Sequence, residues 1–140
     1  MTRLSVVALL CLLCAGVGFS LDKAAPGTAP FPTPDVSSPV GAPNSVVEVS
    51  RNNDGLIDYR AAYDDRGRLL REDLDFNHDG KMDTFYYYKG GVLQRVEIDS
   101  KFNGKIDIWI YLLEGKYIRR YERDTTGSGT PDVIKDFGGK

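Results

Sequence analysis

From residue 46 to residue 137 the chain alternates apolar and polar side chains with the period of two that is typical of β-strands. One side of a late segment carries Ile106, Ile108, Ile110 and Leu112. The matching side one repeat earlier carries Met82, Thr84, Tyr86 and Tyr88. The alternation predicts strands over residues 46–52, 56–64, 68–75, 81–88, 92–99, 105–113, 116–123 and 131–137.

Glycines separate these segments at regular intervals. One series is Gly55, Gly80, Gly104 and Gly129, at spacings of 25, 24 and 25 residues, and a second series is Gly67, Gly91 and Gly115, at spacings of 24. A turn about every twelve residues leaves room for short strands and none for helices, so neighbouring strands must be antiparallel. We therefore expect an all-β meander of about eight strands, made of tandem hairpin repeats in an open, twisted sheet. A closed eight-stranded up-and-down barrel is the alternative.

Arginines recur in the same pattern. The repeat spacing predicts that Arg71, Arg95 and Arg119 form a column across one face, with their stems over aromatic rings. Pairing across Glu114-Gly115 is expected to set Leu112 beside Tyr117. Neither face of the sheet is then uniformly apolar.

Four acid-rich loops fall at alternate turns, along one edge of the expected sheet. Loop two, residues 75–83, has side-chain oxygens at its first, third, fifth and ninth positions and Gly80 at the sixth. This spacing lets one short loop surround a hard cation, with the seventh residue contributing its carbonyl oxygen. The predicted ligands are Asp75, Asn77, Asp79, Lys81 and Asp83.

Loop two resembles the calcium loops of the EF-hand, dockerin and thrombospondin type 3 kind, which implies a bound Ca²⁺. An EF-hand has a bidentate Glu at position twelve, and this chain has Tyr86 there. We therefore expect weak affinity, on the order of 10⁻⁴ to 10⁻³ M, unless Glu72, Asp73 or Glu97 reaches in. From Ser50 to Phe137 the tandem pattern also resembles short secreted bacterial proteins built from D-x-N-x-D-G-x-x-D hairpin repeats, which again implies calcium binding.

The other three loops depart further from this pattern. Loop one, residues 50–58, begins with Ser50 and offers Asn52, Asp54, Leu56 and Asp58 as its ligands. Loop four, residues 124–132, offers the weaker set Asp124, Thr126, Ser128 and Asp132. Loop three, residues 99–107, has Lys101 at the third position, and its ammonium group is expected to stand where a cation would lie. Alternatively, all four loops are only hairpin turns, since Asp-Gly, Asn-Gly and Ser-Gly pairs favour such turns.

The first 45 residues differ from the rest. Residues 1–20 combine Arg3, an apolar run and small residues, which predicts a secretory signal peptide and a secreted, periplasmic or cell-surface protein. A lipoprotein signal is the alternative, in which acylated Cys14 or Cys11 would anchor the chain to a membrane. Residues 21–45, rich in Pro, Ala and Ser, are expected to form a disordered linker.

The composition leaves few routes to catalysis. Outside the signal segment there is no cysteine, and the one histidine, His78, lies inside loop two. The chain therefore lacks the side chains that thiol catalysis and zinc catalysis need, and we expect that it is not an enzyme. The basic residues alternate with acids rather than cluster, which argues against nucleic acid. The function expected is that of a calcium-binding or calcium-stabilised binding or scaffold domain. Its unknown protein or glycan partner would meet Tyr86, Tyr87, Trp109 and Tyr111. The alternative is a purely structural β-repeat protein, whose acidic loops are only hairpin turns and which acts through assembly or an unknown partner.

Overall fold

The computed structural model describes residues 41–138. The predicted signal peptide, both cysteines and most of the predicted linker lie outside these residues. Where the linker is described, its end already belongs to the domain: the Asn44 N–H donates to the carbonyl of Asp64 at 2.9 Å, and the Tyr63 N–H donates to the carbonyl of Ser45 at 2.9 Å.

Eight antiparallel strands form one sheet in sequence order. The strands are β1 (Val46–Val49), β2 (Tyr59–Tyr63), β3 (Leu69–Leu74), β4 (Thr84–Lys89), β5 (Val92–Ile98), β6 (Ile108–Leu113), β7 (Tyr117–Arg123) and β8 (Val133–Asp136). The predicted meander is confirmed. The sheet stays open, because β1 and β8 lie at its two ends and do not pair with each other, so the barrel alternative is wrong.

Every strand that follows an acid-rich loop begins later than predicted. Strand β4 starts at Thr84 rather than at residue 81, and β6 starts at Ile108 rather than at residue 105. The reason is that the ninth residue of each loop folds back on the loop: the Asp83 carboxylate accepts the N–H of Phe76 at 2.8 Å. The regular strand can start only after that residue.

One face of the sheet carries the hydrophobic core. Its buried members are Val96, Ile108, Ile110, Leu112, Ile118 and Tyr121, with Tyr86, Leu93 and Ile98 packed against them. The core therefore lies on strands β4 to β7. The predicted face of Ile108, Ile110 and Leu112 is confirmed, whereas the expectation that neither face is apolar is wrong for the central strands.

The opposite face carries arginines and aromatic rings. The guanidinium carbon of Arg71 lies 5.1 Å from the centre of the Phe85 ring and 5.3 Å from that of Tyr87, and that of Arg95 lies 4.5 Å from Tyr87. The predicted stacking of arginines over rings is confirmed for these two arginines.

The third arginine of the row is Arg120, not Arg119, because the last tight turn is longer than expected. Its loop holds three residues between the paired Leu113 and Tyr117, whereas the turn after β4 holds only Gly90 and Gly91. A register shift between Tyr111 and Leu112 adds to the change. Leu112 therefore pairs with Ile118 rather than with Tyr117, and Tyr111 pairs with Arg120.

Candidate metal loops at one edge of the sheet

The four acid-rich loops share one backbone conformation. The fourth residue of each loop has a positive φ: 62° at Asn53, 59° at His78, 52° at Phe102 and 78° at Gly127. The sixth residue is always a glycine with a φ between 82° and 88°. Two residues with a left-handed backbone conformation, two positions apart, bend each loop tightly. A residue with a Cβ atom is strained at a φ of 82° to 88°, which lies beyond the left-handed region of ordinary residues, and this explains why glycine recurs at the sixth position.

Two hydrogen bonds recur in all four loops. The glycine N–H donates to the side chain of the first residue, at 3.3 Å in loop one, 2.8 Å in loop two and 2.6 Å in loops three and four. The second residue's N–H donates to the ninth-position aspartate, at 2.7 to 2.9 Å. These bonds do not depend on a metal, so the loop shape alone is explained by turn chemistry.

The loops lie side by side along one edge of the sheet, as predicted. The Asp75 N–H donates to the carbonyl of Asp58 at 3.0 Å, and the same bond joins Asp99 to Asp83 and Asp124 to Asp107, each at 2.8 Å. The ends of the strands therefore present a row of aspartates. Six of them are at most 4% exposed: Asp58, Asp75, Asp83, Asp99, Asp107 and Asp124.

In loop two three of the predicted side-chain ligands accept backbone N–H groups of their own loop. Asp75 accepts backbone N–H groups with both carboxylate oxygens, from Asp79 at 3.3 Å and Gly80 at 2.8 Å. Asn77 Oδ1 accepts the N–H of Asp79 at 3.0 Å, and Asp79 Oδ1 accepts that of Lys81 at 2.9 Å. The carboxylates of Asp75 and Asp83 are buried, while Asn77 and Asp79 are exposed.

The loops differ in how their carboxylates are compensated. In loop one Arg51 Nε lies 2.9 Å from Asp58 Oδ1, and His78 Nδ1 lies 3.8 Å from Asp58 Oδ2. In loop three Lys101 Nζ lies 3.8 Å from Asp107 Oδ2. Among residues 41–138, no ion pair within 4.0 Å involves a loop-two carboxylate.

This difference appears in the acidity of the ninth-position aspartates. Burial raises the pKa of Asp83 above its ordinary value, and the Asp75 carboxylate adds to the rise, although hydrogen bonds to Asp83 oppose it. Burial also acts to raise the pKa of Asp58, but the bonds from Arg51 outweigh it and hold that pKa below its ordinary value. Unlike loop one, loop two therefore has no basic side chain of the described residues that compensates its buried ninth-position aspartate.

Lys101 contacts only one of the two loop-three carboxylates. Besides its approach to Asp107, its Nζ donates to the carbonyl oxygens of Asp124 and Thr125, each at 3.4 Å. Its ammonium group therefore lies near Asp107, and among the described residues no ion pair within 4.0 Å joins it to Asp99. Lys101 instead links loop three to loop four.

None of the three acids considered for position twelve reaches loop two. Glu72 accepts the hydroxyl of Tyr59 at 2.6 Å and that of Tyr88. Asp73 pairs with Arg71. Glu97 lies 3.2 Å from Arg95 and accepts a hydroxyl hydrogen bond.

A small cavity lies between loops two and three, and one of its lining residues, Asp99, is not among the predicted ligands. The cavity has a volume of about 20 Å³, and Asn77, Asp79, Asp83 and Asp99 are among its lining residues. Asp99 lies in another repeat, so spacing within one loop could not reveal it. The available signal was the alternating glycine series, which places loops two and three next to each other.

The four aromatic residues proposed to meet a partner do not share a face. Tyr86 pairs with Val96 and packs on the core, while Tyr87 and Tyr111 both pair with Arg95 on the opposite face. Trp109 alternates with Ile108 and Ile110 and therefore also lies on that opposite face. An open groove of about 420 Å³ runs along it, lined in part by Tyr87, Arg95, Tyr111 and Arg119. The grouping with Tyr86 is therefore wrong, because adjacent residues of a strand point to opposite sides.

Within residues 41–138, no three His, Cys, Asp or Glu side chains are arranged closely enough to hold a metal ion as they stand. That part of the chain also contains no helix that could cross a membrane. Comparison with protein-family models, curated proteins and solved structures finds no match for this chain.

Proposed function

We propose that this domain is an exported, calcium-stabilised repeat module, and that loop two holds its dominant Ca²⁺ ion. The observation that carries the proposal is the contrast between the loops. Asp58 is paired with Arg51 and Asp107 lies near Lys101, while the buried carboxylates of Asp75 and Asp83 have no such cation among the described residues.

The donor set of loop two fits a hard cation. Three carboxylates and a carboxamide are oxygen ligands of the kind that Ca²⁺ takes, and Ca²⁺ tolerates flexible geometry. Buried carboxylates that are not compensated are costly, so a cation that binds them stabilises the fold. Asp79 and Asn77 are exposed, and each accepts one backbone N–H of the loop, a bond that a bound ion would share or replace.

A purely structural repeat is the second candidate. It is favoured by the hydrogen bonds that recur in all four loops, including loop three with Lys101 and loop four with Ser128. Since those bonds close the loops without a metal, this alternative predicts the same stability with and without calcium.

Thermal unfolding with and without CaCl₂ separates the two candidates. With a dissociation constant on the order of 10⁻⁴ to 10⁻³ M, 10 mM CaCl₂ stabilises the folded state by about 1.4 to 2.7 kcal/mol. For a domain of this size that raises Tm by roughly 5 to 20 °C. Asp79→Ala is expected to abolish most of this rise.

The matched control is Asp65→Ala, which removes the same charge from an exposed turn at the opposite edge of the sheet. It should keep the full calcium response. An unchanged response in Asp79→Ala would remove loop two as the site, and an absent response in the parent chain would leave the structural alternative.

The binding role is proposed for the face that carries Tyr87, Trp109 and Tyr111. Half-buried rings beside paired arginines offer flat apolar surface and hydrogen-bond donors, which suit a protein or glycan partner. Screening the parent chain and Tyr111→Ala against the same panel of proteins and glycans tests this role. A partner that binds both equally does not use this face.

A further inference from the structure

Asp99 holds a buried oxygen atom that nothing in the described chain satisfies. The residue is 4% exposed. Its Oδ2 accepts the N–H of Gly104 at 2.6 Å, while its Oδ1 has no hydrogen-bond partner among the described residues. A buried carboxylate oxygen without a donor costs free energy, so this atom requires a cation or a proton donor.

The aspartates at the same position of the neighbouring loops are different. Asp75 uses both of its carboxylate oxygens as acceptors, from Asp79 and Gly80. Asp124 does the same, with Gly127 bonded to Oδ1 and Gly129 to Oδ2. The unsatisfied oxygen is therefore a property of Asp99 and not of the repeat.

Asp99 also lines the cavity between loops two and three, together with Asn77, Asp79 and Asp83 of loop two. The cavity volume of about 20 Å³ has room for one water molecule or one small cation. The Asp99 N–H donates to the carbonyl of Asp83 at 2.8 Å, which fixes the two residues next to each other.

We propose that Asp99 is a ligand of the loop-two calcium ion, so that the ion bridges two repeats. This inference rests on the proposed function of loop two. Loop two lacks the position-twelve carboxylate of an EF-hand, because that position is Tyr86, whose ring packs on the core. Asp99 supplies a carboxylate from the next hairpin instead, and the unpaired Oδ1 of Asp99 coordinates the cation.

Charge explains why only one such bridge is expected. Asp75 and Asp124 stand beside loops one and three in the same way, as their N–H bonds to Asp58 and Asp107 demonstrate. Loop one, however, already contains Arg51, and loop three contains Lys101. Like charges repel, so these side chains oppose a second cation in either loop.

Calorimetric titration of CaCl₂ into the full-length chain tests the bridge with three variants. Asp99→Asn keeps an oxygen for the Gly104 N–H and removes the charge, so we expect calcium affinity to fall at least tenfold. Asp65→Asn is the matched control for the loss of one carboxylate, in an exposed turn at the opposite edge of the sheet, and should stay within twofold of the parent. Asp79→Ala reports on loop two itself.

The outcomes separate the bridge from the proposed function. If Asp79→Ala weakens binding and Asp99→Asn stays within twofold of the parent, loop two binds calcium alone and a water molecule fills the cavity; the bridge is overturned. If the parent chain takes up no calcium, or if neither variant weakens binding, both proposals fail.

A second readout uses stability in EDTA. Without calcium, Asp99→Asn should melt no lower than the parent, because it removes an unpaired buried charge; with calcium, it should melt lower. A variant that melts below the parent by the same amount in both conditions would mean that Asp99 is only structural.

Should Asp99→Asn fail to fold, Phe102→Trp keeps an aromatic ring beside the cavity and provides an energy donor. Terbium emission that rises above that of an Ile134→Trp control, and that calcium abolishes, is the expected result. Emission equal to the control would place the ion away from loop three and overturn the bridge.

Discussion

The carboxylate of Asp124 is held by several groups of its own loop. Burial acts to raise its pKa, but hydrogen bonds from Gly129, Thr126, Gly127 and Ser128 outweigh burial and lower the pKa to about 2 from an ordinary value of 3.8. The folded chain therefore binds fewer protons at this residue than the unfolded chain between about pH 4 and pH 2. Its contribution to stability is complete above that window and is lost as the pH falls through it.

Asp124→Asn is expected to remove this contribution. In EDTA, the difference in unfolding free energy between the parent and Asp124→Asn should shrink as the pH falls from 4 to 2. Urea denaturation at several pH values measures it, with Asp65→Asn as a control for loss of an exposed charge. Parallel pH curves for the parent and Asp124→Asn would contradict the assignment.

Residue type and spacing carried most of the information about single loops. The glycine at the sixth position of each loop follows from local chemistry, and the structure gives all four of these glycines the positive φ that such a turn requires. The partner of a buried atom does not follow from local chemistry. Asp99 and Asp79 line the same cavity only because loops two and three lie next to each other. The cavity therefore cannot be predicted from the sequence of either loop alone.

Among the elements, strand β6 contributes most to the core. Ile108 and Ile110 are fully buried on it, and Ile110 pairs with Val96 on one side and Tyr121 on the other. Ile110→Ala removes buried methyl and methylene groups and leaves a cavity, so we expect a loss of about 2 to 5 kcal/mol. The midpoint of urea unfolding measures this change.

The control for this core variant is Ile134→Ala on strand β8, where the side chain is 52% exposed. Its stability should lie within about 0.5 kcal/mol of the parent. Equal losses in both variants would mean that the core is not confined to one face of the central strands.

Strand order could be predicted from the sequence, while register could not be predicted throughout. Alternation and short turns leave few arrangements other than a meander. The register of β6 and β7, however, depends on whether the turn holds two or three residues, and the extra residue, Lys116, shifts the row from Arg119 to Arg120. Tyr86 belongs to the core rather than to the proposed partner face for a different reason, since adjacent residues of a strand point to opposite faces and Tyr87 lies on the other one.

At the scale of the whole molecule, the four loops lie on one edge and the three tight turns on the other. Loop two joins β3 to β4, and loop three joins β5 to β6. An ion held between these loops would therefore connect four of the eight strands, next to the core on β4 to β7. The outer strands β1 and β8 would gain less, and they expose large apolar side chains such as Val46 and Ile134.

The number of calcium ions bound by the full-length chain tests this account most directly. Among residues 41–138, loop two is the one loop whose ninth-position aspartate is buried without a basic partner within 4.0 Å. Calorimetric titration with CaCl₂ should therefore give one ion per chain, with a dissociation constant on the order of 10⁻⁴ to 10⁻³ M. Four equivalent ions would contradict the roles given to Arg51 and Lys101. No binding at 10 mM CaCl₂ would contradict the calcium-stabilised module itself.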